Sequence, residues 1–285
     1  MALILSGKEA ANVFKKEISI KVDRRLKDKK KRPHLAAILV GNNPASSVYV
    51  NGKVKDCAEV GFLSTLIRLE EDVTEIELLK NIERLNSDTE IHGFIVQLPL
   101  PKQINEKRIL LAIDPMKDVD GFHPENFGRM ALGLPTYIPA TPYGILLLLE
   151  YFGIDASGKR AVVLGRSNIV GSPMSILLSS NSKFGNATVT LAHSRTHDLE
   201  LLTKSADILI VAIGKPLFIN QSHVKEGAVV VDVGINRVDG KLKGDVDIDS
   251  IFNIASAISP VPGGVGLMTR VGLLMNTLLA ADDRE

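Results

Sequence analysis

The sequence has 285 residues, 45% of them hydrophobic and 24% charged, with a formal net charge of +1. This balance excludes a disordered chain and leaves no global field to recruit nucleic acid or membrane, while the length allows one large domain or two of ordinary size. A single cysteine, Cys57, excludes an intramolecular disulfide framework and a multi-cysteine zinc site, and it reads as cytoplasmic. The opening MALILSGKEAANVF has too short an apolar stretch for a signal-peptide core, and LLLLEYF around Leu146 is too short to span a bilayer. A helical pattern from about Lys8 to Lys30 ends in the basic run KDKKKR, Lys27 to Arg32, a solvated helix end where cations meet the helix dipole. The apolar run HLAAILV (34–40) reads as a strand, and the polar loop GNNPASS after it caps a helix from about Ser46 to Val60. STLIRL (64–69) is a second strand, TEIELLKNIERLN a helix, and HGFIVQ (92–97) a third strand. A Pro/Gly-rich passage follows, QLPLPK, DPMKDVDGFHPEN and GLPTYIPATP, and then the pattern restarts with RAVVLG (160–165), ATVTLA (187–192), DILIVAI (207–213) and GAVVVDVG (227–234). The alternation predicts two α/β domains with mainly parallel sheets, divided near Pro139.

RAVVLGRSNIVGSP has the form of a strand, a tight turn and a helix start. Gly165 and Gly171 do not complete G-x-G-x-x-G, because Ser167 stands at the second glycine. The physical logic survives, since a small residue lets the backbone approach a phosphate, a helix N-terminus offers amide donors, and Arg166 adds a charged one. By itself such a turn also serves close packing. At the end of the next strand an NAD site normally carries an acidic residue for the ribose hydroxyls. Here the turn is LAHSRTHD, and Ser194 and Arg195 suit a 2′-phosphate better than a bare ribose, which makes NADP the expected cofactor.

In the first domain, Tyr49, Lys53 and Cys57 share one helix face through their four-residue spacing. Tyr-x-x-x-Lys is also the spacing of short-chain dehydrogenases, but there it follows the glycine loop, whereas YVNGK precedes the loop here. Gln97 ends the third strand before the rigid LPLP, and Asp118 and Asp120 lie in the KDVDGF turn. Each has a plain structural reading: a half-buried ring beside a snorkelling amine, a strand cap, good turn chemistry. Their coincidence at predicted sheet ends, where open α/β sheets bind ligands, favours a site.

The stretches VGNNPASSVYVNGKVKDCAEVGF, GFIVQLPLP, DPMKDVDGFHPENFGRM, VLGRSNIVGSP, VVDVGINR, GDVD and PVPGGVG closely resemble bifunctional methylenetetrahydrofolate dehydrogenase/methenyltetrahydrofolate cyclohydrolase, an enzyme family of folate one-carbon metabolism. The resemblance implies a folate-binding catalytic domain over 1–138, joined by a returning last helix in 267–285, and a Rossmann-like NADP domain over 139–266, flanking a cleft. It implies a homodimer that uses NADP and no metal. It also implies roles at matching positions: Lys53 the catalytic lysine, Tyr49 a ring stacked on the folate, Gln97 the lysine's hydrogen-bond partner, and Asp120 the carboxylate on the pterin. Pro262 and Gly263 resemble the folate-side loop, and Gly165, Arg166, Ser167 and Ile235 resemble NADP contacts. Two departures stand out: Ala140 replaces a common cysteine in IPATP, and Leu267 a common proline in GLMTR. A relative with one of the two activities, or a non-catalytic NADP-binding scaffold, would not need Lys53 and Gln97 together with the GRS turn.

Overall fold

The computed structural model describes residues 1–283, which form two compact units. One comprises Val13–Ala140 with the chain from Leu273 onward; the other comprises Met1–Asn12 with Thr141–Gly272. The first ten or so residues are therefore not part of the unit that follows them in sequence, unlike the expected 1–138 division. The cause is β1 (Leu3–Ile4), which pairs in parallel with a strand some 250 residues later; only after it does α1 (Gly7–Lys27) lead into the other unit.

That unit, Val13–Ala140, is built on β2 (His34–Val40), α2 (Pro44–Val60), β3 (Leu63–Leu69), α3 (Glu75–Ser87) and β4 (Gly93–Val96). The strands form a parallel three-stranded sheet in the order β3-β2-β4. Central β2 is buried along its length after His34, as its unbroken apolar run requires, whereas β3 at the edge is mostly half-exposed. Ala36, Ile38, Leu78, Ile82, Phe94 and Ile109 form the core under this sheet, each large side chain contributing roughly 1.5–3 kcal/mol of burial. α2 starts where the loop chemistry predicts: Asn43 Oδ1 accepts from the amides of Ala45 and Ser46, and Pro44 occupies the first turn. It stops at Gly61, left-handed at φ 82°. α3 carries a full capping box between Thr74 and Glu77. Two short helices, α4 (Glu106–Ala112) between the Pro/Gly-rich stretches and α5 (Pro124–Ala131) at the end of the second, precede α6 (Ala140–Tyr151).

The other unit contains β5 (Arg160–Leu164), α7 (Gly171–Ser179), β6 (Thr188–Ala192), α8 (Leu199–Thr203), β7 (Ile208–Val211), β8 (Val229–Asp232), the small hairpin β9 (Asn236–Val238) and β10 (Lys241–Lys243), α9 (Ile248–Ile251) and β11 (Ala257–Ile258). Apart from the hairpin, its strands form one six-stranded, all-parallel sheet in the order β1-β11-β8-β7-β5-β6. Because β6 lies on one side of β5 and β7 on the other, the strand order reverses at β5, the position where doubly wound sheets bind ligands beyond the strands' carboxyl ends. The last helix, α10 (Val265–Asp282), contributes its first half to this unit and its second half to the other. Among the described residues no helix is long and apolar enough to cross a membrane.

Candidate active site

The turn after β5 is shaped by two glycines that no other residue could replace without movement. Gly165 sits at φ +116°, and a Cβ there would lie 2.1 Å from the carbonyl oxygen of Ala212. A Cβ on Gly171 would lie 1.9 Å from the carbonyl oxygen of Gly165. Between them Ser167 holds the turn closed: its Oγ accepts from the Val170 amide at 3.1 Å and its carbonyl from the Ser172 amide at 3.0 Å. Val170, the residue before α7, gives the helix no side-chain cap, and Arg166 in the turn before it is exposed. At the end of β6, His193 Nδ1 accepts from the Arg195 amide and the His193 amide donates to Thr196 Oγ1, a turn that leaves Ser194 and Arg195 exposed. This donor set, a bare phosphate cradle with two exposed arginines and two hydroxyl-bearing turns, fits a dinucleotide carrying a 2′-phosphate.

Two residues not among the sequence candidates set the far side of this region. Asp232, at the end of β8, is fully buried; it accepts from the amides of Gly234, Asp245 and Val246. Asp245, also fully buried, accepts from the amides of Ile213 and Gly214 and from Asn236 Nδ2. Burial lifts the Asp232 carboxyl to about 6, with the neighbouring Asp245 adding to the rise and the three amide bonds opposing it. Together the pair pins the loops that follow β7 and β8 and presents Ile235, 58% exposed, at the carboxyl end of the sheet. The signal was visible as an acidic residue closing an otherwise apolar strand, VVVD. Pro262 and Gly263 lie in the same unit, in the loop before α10, with Gly263 at φ +103°.

In the other unit the structure brings four sequence candidates together. Lys53 on α2 is buried, 6% exposed, and its Nζ donates to Gln97 Oε1 at 3.3 Å while lying 5.0 Å from the centroid of the Tyr49 ring. The direction of the Gln97 amide is set by its other end, since Nε2 donates to the Leu98 carbonyl at 2.7 Å and leaves Oε1 as the acceptor facing the amine. The Gln97 backbone amide in turn donates to the Ile38 carbonyl, continuing the sheet register past the end of β4. Asp120 is half-buried; burial pushes its carboxyl up, and the charge on Lys53 opposes that rise. The DVDG turn thus divides its acids. Asp118 faces inward, raised by burial to about 6, and accepts from the His123 amide and Asn126 Nδ2, holding the turn; Asp120 keeps an open face. Cys57, the third member of the helix face, is fully buried, and burial pushes its thiol up to about 12, leaving it inert.

A parallel sheet with a glycine turn and a helix start that lacks a side-chain cap at its switch point, joined to an α/β unit carrying the Lys53, Gln97 and Tyr49 contacts and Asp120, defines a two-domain, dinucleotide-dependent enzyme. The family model described as tetrahydrofolate dehydrogenase/cyclohydrolase, catalytic domain, matches residues 5–120, and its NAD(P)-binding domain matches 139–285. The chain belongs to the tetrahydrofolate dehydrogenase/cyclohydrolase family. It is 57% identical over 285 residues to the bifunctional protein FolD of Cytophaga hutchinsonii, covering 98% of each chain. Its fold is similar to the crystal structure of the bifunctional FolD enzyme of Campylobacter jejuni, with a TM-score of 0.95 and 46% identity over the full length of both chains. It is also similar to the Trypanosoma brucei methylenetetrahydrofolate dehydrogenase-cyclohydrolase complexed with NADP and an inhibitor, with a TM-score of 0.93 and 35% identity over 99% of this chain and 98% of that one.

Proposed function

We propose that the chain carries out both reactions of its family and that Lys53 moves the protons of the second. The first oxidises 5,10-methylenetetrahydrofolate to the methenyl cation, and the second hydrolyses that cation to 10-formyltetrahydrofolate. NADP, when bound, accepts the hydride from the one-carbon bridge. The chain's own residues do the rest. Asp120 accepts two hydrogen bonds from the N–H and amino edge of the pterin, and the Tyr49 ring is a platform for the bicyclic ring system. Lys53 takes a proton as water adds to the methenyl carbon and returns one to the nitrogen that leaves. Gln97 orients the amine through a neutral acceptor, which avoids the added negative charge that would hold Lys53 in its ammonium form. The 3.3 Å hydrogen bond from a lysine only 6% exposed to Gln97 is the observation that carries this reading. Mixing methylenetetrahydrofolate with NADP should give reduced cofactor first and then loss of the methenyl chromophore; a methenyl signal that persists at the spontaneous rate would remove the cyclohydrolase.

Arg166, Ser194 and Arg195 read the 2′-phosphate, and Gly165, Ser167 and Ile235 supply the backbone and apolar contacts to the cofactor; Pro262 and Gly263 line the folate side. Arg166→Ala should weaken NADP binding by about tenfold or more in calorimetry and NAD binding far less, since charge-assisted bonds are worth about 1.5–3 kcal/mol. Equal losses for the two cofactors would place Arg166 elsewhere than on the phosphate. Asp120→Asn should weaken folate binding and slow both reactions while leaving NADP affinity unchanged, because an amide cannot accept two bonds from the pterin edge. Unaltered folate binding by calorimetry would take Asp120 out of the site. The enzyme acts in the cytoplasm, where the lone Cys57 stays a thiol, and as a homodimer. β6 ends its sheet with an outer backbone edge that a second copy can meet. Sedimentation at the mass of one chain would rule out that assembly.

A further inference from the structure

We propose that Asn276, on the second half of α10, is the positioning residue that sets the pterin-binding carboxylate of Asp120; the inference rests on the role given to Asp120 above. Asn276 is 1% exposed, and its Nδ2 donates to the Val119 carbonyl at 2.8 Å and to the Ile138 carbonyl at 2.7 Å. Two carbonyl acceptors on one side chain nitrogen settle the amide's orientation, since the flipped form would set oxygen against oxygen. The two bonds staple together the chain segments on either side of the site. Val119 immediately precedes Asp120, and Ile138 precedes the Pro139 backbone against which Gly121 is pressed. A Cβ on Gly121, at φ +74°, would lie 2.7 Å from the Pro139 nitrogen. The segments are also joined directly, by the Ala140 amide donating to the Asp120 carbonyl at 3.2 Å.

Asp120 therefore sits between a residue clamped by Asn276 and a glycine packed on the segment clamped by the same amide. Asp118 fixes the near side of the turn through His123 and Asn126, whereas Asn276 ties Val119 and Ile138 to one group. A staple of this kind acts on where the carboxylate points, and so on folate affinity, without touching the amine that carries the protons.

Asn276→Leu keeps the approximate shape and removes both donors, leaving two buried carbonyls unpaired. In the full-length enzyme the KM for each folate substrate should rise about tenfold, with kcat within about twofold and the Kd for NADP unchanged. A merely structural role would lower the melting temperature and the active fraction without moving KM. The decisive arm is a double-mutant cycle: combined with Asp120→Asn, Asn276→Leu should add little further loss, because it acts through the carboxylate already removed. Folate KM at the wild-type value in folded Asn276→Leu, or losses that multiply with those of Asp120→Asn, would overturn the proposal. Should the Leu variant not fold, Asn276→Ser, smaller and with one hydroxyl donor, takes its place, with a rise of about threefold expected and the same two overturning results. Asp120→Asn with normal folate affinity would remove the role of Asp120 itself; a large loss there beside a normal Asn276 variant would remove only the staple.

Discussion

Lys53→Met is expected to lower the cyclohydrolase rate by about 10²- to 10⁴-fold, the range of general acid–base assistance, and the dehydrogenase rate by much less. Hydride leaves carbon with its electron pair and requires no base, so the first step draws on Lys53 only for placement and electrostatics. Hydration of the methenyl carbon must shed a proton, and ring opening needs a nitrogen protonated, so the second step needs a group that both takes and gives. Methionine matches the length of the lysine stem and suits a position only 6% exposed, which limits the effect to the lost amine. The variant should accumulate and release the methenyl compound. Supplying that compound directly and following its chromophore isolates the second step; hydrolysis at the wild-type rate above background would show that Lys53 is not the proton carrier.

Gly171→Ala should cost the cofactor site about tenfold to a hundredfold in NADP affinity, with a melting temperature a few degrees lower. The new Cβ would stand 1.9 Å from the Gly165 oxygen and 2.9 Å from the Arg166 nitrogen, both backbone atoms, so no side chain can swing aside and the turn itself must open. Opening it displaces Arg166 and the first amides of α7 together, and overpacking of this kind costs about 1–3 kcal/mol. Gly128→Ala is the matched control. It lies inside α5, and apart from its chain neighbours and its own helix backbone nothing among the described residues comes within 4 Å of the added Cβ, so it should leave NADP affinity alone and, if anything, stabilise the helix. Calorimetry on both variants separates the outcomes: normal NADP binding by the Gly171→Ala enzyme would mean the turn is not the phosphate cradle.

Much of this molecule is written locally. β2, β5, β7 and β8 are apolar runs closed by turn residues, α2 and α3 carry their own caps, and Tyr49 and Lys53 meet because four residues make about one helical turn. The phosphate turn, too, is legible, since two glycines around a small polar residue between a strand and a helix are a short-range signal. For the same reason the family resemblance, which rests on ordered local motifs, identified the chemistry. What the sequence alone could not decide is pairing at long range. β1 is two residues long and gains its strand character only from β11, 254 residues later by the Leu3–Ala257 register, so no window around it predicts a strand or the unit it joins. α4 and α5, at seven and eight residues, are too short to show a helical period. The division of labour between Asp118 and Asp120, two residues apart in one turn, depends on which of them Asn126 and His123 enclose. Asn276 reads in sequence as an ordinary polar residue of a mostly apolar last helix. Only the return of that helix to the carbonyls of Val119 and Ile138 makes it part of the site, because a buried carbonyl must find a donor and the chain nearest in space supplies it.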